Sequence, residues 1–427
     1  MERSDPRYQA YVEILKEELI PAMGCTEPIA LAYAAAKARE VLGMLPESVQ
    51  LQVSGSIIKN VKSVIVPNTG HLKGMEAAVA AGIIAGSADR ELEVISEVSE
   101  DKKAAIRDYL QTVPITIEHT EQGHVFDIVV TERCGQDYAR VRIADYHTNI
   151  CRIEKNGTVL YEVPLLDETV QEDARADRSL LNMQDIWDFA ETADLRDVAD
   201  LLERQIRYNN AIAEEGLLGD YGANIGRVLL TTYGNDVSNR AKAKAAAGSD
   251  ARMNGCELPV IINSGSGNQG ITCSVPLIEY AKELHSGKEK LYRALIISNL
   301  VAIHEKTGIG TLSAYCGAVS AGAGAGAGIV YLCGDGYQAA IHTVVNALAI
   351  VSGIVCDGAK ASCAAKIASS VDAAILAYYM ASERRGFRNG EGLVKESAEK
   401  TLKSYGRMGR EGMRATDIEI LRIMLEN

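Results

Sequence analysis

Apolar residues recur at Tyr8, Tyr11, Ile14, Leu15 and Leu19, the three-and-four spacing of one helix face. A helix over 7–20 is therefore predicted, stopped by Pro21. GCTEP at 24–28 reads as a turn. The PIALAYAAAKAREVLG that follows reads as a second helix, with Thr26 as N-cap and Pro28 just inside. From 49 to 66 the pattern becomes the alternation of a strand, QLQVSGSIIKNVKSVIVP. A turn, NTGH at 68–71, and an Ala-rich helix, KGMEAAVAAGIIAG, come next.

Between about 93 and 165 the texture changes to one short helix near DKKAAIRDYLQ and several β-strands, with Asn156-Gly157 as a two-residue hairpin turn. The acidic stretch 166–182, LDETVQEDARADRSLLN, reads as a linker. Helices are predicted at 184–216 and 222–232, and RAKAKAAAG at 240–248 is either a further helix or a loop. LPVIINSGSGNQGITCSVPLIEYAKEL reads as an extended segment, a Gly-Ser-Asn loop and a helix. Nearly everything from 277 to 381 is helical and apolar. In the amphipathic tail, GRMGREG at 406–412 reads as a flexible basic loop able to cap a site.

These elements predict an α+β fold. A mainly helical domain is expected from residues 1–92 and 183–427, with a smaller α+β domain and linker over 93–182. A chain of 427 residues suits two or three domains. Apolar residues at 47% and charged residues at 24% are ordinary for a globular protein. With three Phe and one Trp, the helix cores must be built from Ala, Ile, Leu and Val. A net charge of −13 and the lack of a basic stripe argue against a nucleic-acid partner. The N-terminus lacks the basic and apolar regions of a signal peptide, and the apolar stretches 321–333 and 339–355 are broken by Gly, Cys, Asp and His, so no membrane span is expected. Nine cysteines in such a chain read as reduced thiols of a cytoplasmic protein; a homo-oligomer is the expected state.

Chemistry is suggested where small residues surround thiols. Cys316, Cys356 and Cys363 lie in YCGAVSAGAGAGAG and CDGAKASC, where the backbone can approach a bulky inorganic group. Thiolates suit the irons of a four-iron cluster, and three of them leave one iron open as a Lewis acid. Buried structural thiols and a zinc site drawing on His304 or His342 are the alternatives, although His342 lies in an apolar helical run and reads as core. Glycines at 317, 322, 324, 326 and 328 cost a helix roughly 0.5–1 kcal/mol each, so close packing must compensate. Cys25 stands at the positive end of a helix, where a thiolate is stabilised. SGSGNQG opens onto a helix as an anion nest, with Ser264, Ser266, Asn268 and Gln269 as donors for a carboxylate, or for a phosphate, although no Lys-Ser/Thr follows as in a P-loop; a plain glycine turn is the bland reading. GSIIKN at 55–60 has the look of a pyridoxal-phosphate lysine site, which one lysine after a Ser-rich turn does not carry. Cys134 and Cys151 receive no chemistry, and His119, His124 and His147 read as surface strand residues.

Three stretches carry a resemblance: GCTEPIALA at 24–32, SGSGNQGITCSVP at 264–276, and AYCGAVSAGAGAGAG with CDGAKASCAAKI. The segment 255–380 resembles the alpha chain of the iron–sulfur L-serine dehydratases, and the whole chain resembles the single-chain L-cysteine desulfidases of that superfamily. In the serine branch the gap between the last two cysteines is longer and Arg-Asn follows. Here Lys366 falls where that arginine is expected, and the short gap and GCTEP favour the desulfidase branch. The resemblance implies a lyase that binds a [4Fe-4S] cluster with one open iron site at Cys316, Cys356 and Cys363 and converts L-cysteine to pyruvate, ammonia and hydrogen sulfide. Cys25 is then the candidate base for the α-proton. Ser264, Ser266, Asn268, Gln269 and Lys366 are the candidate substrate contacts, with Thr26 and Glu27 as further orienting positions. L-Serine dehydration and a non-catalytic amino-acid-binding role are the competing expectations.

Overall fold

The first predicted helix forms as α1 (Pro6–Glu18), with the Asp5 carboxylate accepting the Arg7 backbone N–H at its start. The computed structural model describes residues 1–120, 124–165, 176–310 and 312–426. In the N-terminal half α1 is followed by β1 (Pro21–Met23), α2 (Thr26–Leu42), β2 (Ser48–Val53), α3 (Gly55–Val61), α4 (Gly74–Ala85), α5 (Glu100–Thr112), β3 (Ile115–His119), β4 (Asp127–Cys134), β5 (Asp137–Ala144), β6 (Ile150–Lys155) and β7 (Thr158–Glu162). The helical remainder comprises α6 (Met183–Thr192), α7 (Ala199–Leu218), α8 (Ile225–Tyr233), α9 (Val237–Met253), β8 (Pro259–Ile261), α10 (Gly267–Glu283), α11 (Lys288–Ile309), α12 (Gly317–Cys333), α13 (Tyr337–Val351), α14 (Cys363–Ser382), α15 (Ala398–Arg407) and α16 (Arg414–Leu425). This is a mainly helical α+β fold. Among the described residues no helix is long and apolar enough to cross a membrane.

Six strands form one sheet in the order β3-β2-β4-β5-β6-β7, with β2 parallel to β3 and the other pairs antiparallel. Its second strand, β2, comes from before residue 93, and α2 packs against β4 and β5. The expected strand over 49–66 ends at Val53, a correction with a local cause. Ile57, Ile58 and Val61 are all buried, a spacing of one and four that a helix can turn inward and an alternating strand cannot. Lys59 within that helix is buried against Asp417 of α16, an ion pair that leaves no free amine for a cofactor aldehyde. RAKAKAAAG lies within α9. The expected loop at 406–412 is helical instead: α15 runs on into a π-helical turn over 408–412, whose Gly409 carbonyl accepts the Ser313 hydroxyl at 2.8 Å. The linker expected at 166–182 falls in part outside the described residues.

Helix α12 shows why its glycines are there. A Cβ built on Gly322 would lie 2.8 Å from the Ser370 carbonyl of α14, and one on Gly324 would lie 2.4 Å from the Ser298 carbonyl of α11. A Cβ on Gly326 would meet the Thr343 side chain of α13 at 2.9 Å, and one on Gly328 the Leu277 side chain of α10 at 2.5 Å. Four helices thus crowd α12 at its glycines, and the same helix carries Gly317 and Ala318 to the site described below. At an open helix position Gly→Ala stabilises by roughly 0.5–1 kcal/mol. Gly324→Ala is expected to destabilise instead, by about 1–3 kcal/mol, read from the denaturant midpoint at unchanged slope.

Candidate functional site

Two short strands begin the site. β1 pairs antiparallel with β8, matching Met23 to Pro259 and Pro21 to Ile261, so the GCTEP turn and the SGSGNQG loop leave one ribbon. Gly24, at φ +63°, makes the turn, and a Cβ there would meet Pro67 at 2.8 Å. The turn delivers Cys25 as N-cap of α2. The Thr26 hydroxyl then donates to the Gly265 carbonyl at 2.9 Å and fastens the two loops together.

A second backbone pairing gathers the other thiols. Tyr315 and Val355 form an antiparallel bridge in which the Cys356 N–H donates to the Ala314 carbonyl at 2.6 Å and the Cys316 N–H to the Ile354 carbonyl at 3.2 Å. Cysteines 40 positions apart in sequence are thereby held side by side. From Cys356 the chain turns at Gly358, at φ +91°, where a side chain would strike the Lys59 carbonyl at 2.3 Å, and Cys363 opens α14.

Cys25, Ser264, Ser266, Asn268, Gln269, Cys316, Cys356 and Cys363 all line one cavity of about 110 Å³. Lys366 does not line it: its ammonium is paired with Asp357. The first turns of α2, α10, α12 and α14 all reach this cavity, each contributing about half a positive charge. Among the described residues no three His, Cys, Asp or Glu side chains close on a single point as one metal ion would require. Thiols spread around a cavity suit instead the separate corners of a cluster, where each binds its own iron. The zinc candidates lie elsewhere. His304 Nε2 is 2.8 Å from Glu399 Oε2, and His342, expected in the core, is exposed on α13.

The helix-end setting of Cys25 is only half of its electrostatics. Burial pushes its thiol up to about 12, with the Arg252 guanidinium acting the other way. Burial likewise pushes Cys316 up to about 12, the neighbouring Cys356 adding to it, and it raises Cys363. Glu27 is held below the usual carboxylate range: burial acts to raise it, but the His147 imidazole beside it, aided by Arg252, outweighs burial.

Three lining residues escape a reading of the sequence. His147, expected on the surface, is 7% exposed; it comes from the turn between β5 and β6, meets the Phe126 ring edge-on at 4.7 Å, and stands 3.9 Å from Glu27. The sheet therefore supplies one wall of the site. Lys306 is buried in α11 and lowered to about 8 by that burial, the thiols of Cys356 and Cys316 opposing. Arg252 is buried at the end of α9. Each stands in an unremarkable local pattern, and only the fold turns it inward.

The family model described as serine dehydratase alpha chain matches residues 89–422. The UPF0597 protein of Desulfitobacterium hafniense (strain Y51) is 59% identical over 425 residues, covering 100% of this chain and 98% of the relative. The UPF0597 proteins of Lachnoclostridium phytofermentans and Treponema denticola are 52% and 45% identical, with 98% or more of each chain aligned. Cys25 and Glu27 precede the matched stretch, while the SGSGNQG loop and all three gathered cysteines fall inside it, and over that span the chain belongs to the serine dehydratase alpha-chain family.

Proposed function

We propose that the protein is an iron–sulfur-dependent lyase that eliminates the side-chain heteroatom of a small L-amino acid, L-cysteine in the first place. Membership of the serine dehydratase alpha-chain family supports a lyase of that type. The observation that carries the cofactor reading is the convergence of three thiols on a cavity faced by four helix N-termini. Cys316, Cys356 and Cys363 would hold a [4Fe-4S] cluster. When bound, it supplies an open iron that polarises the substrate's side-chain sulfur as a Lewis acid. Binding requires the thiols to lose their protons, and the helix ends and Lys306 are the chain's means of balancing the negative charge that results.

The chain's own groups handle the proton and the orientation. Cys25, as thiolate, takes the α-proton; the electron pair forms the α,β double bond as the carbon–sulfur bond breaks. Aminoacrylate and hydrogen sulfide are released, and the former tautomerises and adds water to give pyruvate and ammonia. The SGSGNQG loop, pinned by Thr26, and the Gln269 amide lying against Gly317 shape the site around a small polar substrate. Lys366, held by Asp357 and outside the lining, is not assigned a contact with substrate.

The family's description favours L-serine as the rival substrate, with hydroxide leaving in place of hydrosulfide. Protein reconstituted anaerobically with iron and sulfide is expected to turn brown, with absorbance near ~400 nm from iron bound by thiolate, and to form pyruvate from L-cysteine faster than from L-serine. Equal rates would defeat the preference for cysteine. A loaded protein that binds these amino acids and releases no pyruvate would be a binding protein.

A further inference from the structure

Arg252 is a buried cation with no carboxylate in direct contact among the described residues, Glu27 acting on it only at longer range. It is 4% exposed and lines the cavity, its Nε has no hydrogen-bond partner, and among the described residues no carboxylate forms an ion pair with it. A buried charge is tolerated best when it is paired and hydrogen-bonded, and a guanidinium at a cavity wall with no direct partner is placed to take an anion from the cavity. The guanidinium packs against the first turn of α10: a Cβ on Gly267 would come within 2.3 Å of its Nε and 2.7 Å of its Cζ. Glycine at 267 therefore makes room for the arginine.

The surroundings give that anion a direction. Met253, next to Arg252, has its sulfur 3.7 Å from the Cys25 sulfur, and Glu27 stands two residues beyond Cys25. A cation and a carboxylate thus both lie near Cys25 and act on it with opposite sign. On the loop of α10, Asn268 Oδ1 and Gln269 Oε1 are buried acceptors with no donor, whereas the Ser264 hydroxyl is already engaged with Asn263 at 2.9 Å.

We propose that Arg252 anchors the carboxylate of the substrate amino acid, with the α-ammonium turned toward Glu27 and the α-carbon presented to Cys25. The amino-acid identity of the ligand rests on the function proposed above, whereas the anion site rests on the unpaired guanidinium itself. A planar guanidinium meets a carboxylate through two parallel hydrogen bonds, which a lysine cannot reproduce.

The test compares wild type, Arg252→Gln and Arg252→Lys as anaerobically reconstituted full-length protein. Iron content, turnover and calorimetric binding of L-alanine, which has no leaving group, are measured on each. The expected result for Arg252→Gln is a KM for the amino-acid substrate raised by about 30-fold or more, a much smaller change in kcat, a parallel loss of L-alanine affinity and unchanged iron. Arg252→Lys should fall between it and wild type. Unchanged KM and L-alanine affinity at full iron would overturn the anchor while leaving elimination intact. L-Alanine binding that depends on Arg252 in a wild type releasing no pyruvate would uphold the anchor and defeat the lyase. If Arg252→Gln fails to fold or to load iron, Arg252→Lys decides by the same two constants: raised values support the anchor and unchanged ones overturn it. A wild type that neither turns over the substrates nor binds L-alanine would overturn both readings.

Discussion

Cys356→Ala is expected to bring bound iron and acid-labile sulfide to background after anaerobic reconstitution, and turnover with them. Removing one of three thiolates would leave a cluster held at two corners only, too few to retain it. The substitution itself is mild. Cys356 is half-buried, and its place in the bridge to Ala314 is made by its backbone N–H, which alanine keeps. The metal-free variant should therefore unfold within about 1 kcal/mol of metal-free wild type, which separates loss of a ligand from loss of the fold. Cys134→Ala, on β4 of the sheet, is the matched control and should load iron normally. Iron retained in full by Cys356→Ala would leave the gathered cysteines as packing residues and remove the reason for an iron-dependent lyase.

What could be read from the sequence was local, and what could not was tertiary. GCTEP, SGSGNQG and the CDGAKASC turn announce themselves because each needs glycine, proline or a small polar residue at fixed positions, whatever the rest of the chain does. The glycines of α12 posed the right question, and the answer is the carbonyls of Ser298 and Ser370 at backbone distance. Arg252, Lys306 and His147 had no such marker. Arg252 ends a helix in which a basic residue is ordinary, Lys306 follows a glutamate and precedes a threonine, and His147 sits in a five-residue turn of the sheet. Their importance comes from burial around one cavity, and burial of a charge appears in no periodicity. The same limit misplaced GRMGREG, where basic and glycine residues suggested a loop while packing of Gly409 on Tyr315 keeps the helix going. It also hid half of the environment of Cys25: a helix N-terminus is visible in TEP, but the enclosure that raises the thiol is not.

Cys25→Ala should lower kcat by about 10²–10⁴-fold, the span typical of losing a positioned base, while binding as much iron as wild type. Cys25 caps α2 without a side-chain hydrogen bond to that helix, so alanine removes the sulfur and little else. The pH dependence separates a proton-transfer role from a packing role. Burial puts the Cys25 thiol up to about 12, so the neutral thiol dominates near neutrality and the reactive thiolate is scarce. Its fraction grows about tenfold for each pH unit below the pKa. The wild-type rate should therefore climb as pH rises through and above neutrality, and the residual rate of Cys25→Ala should lose that climb. Cys25→Ser keeps a hydroxyl in place of the thiol but is harder still to ionise, and should resemble the alanine variant at every pH. A Cys25→Ala enzyme with full iron and wild-type kcat would assign the proton to another lining group, the Glu27–His147 pair or Lys306.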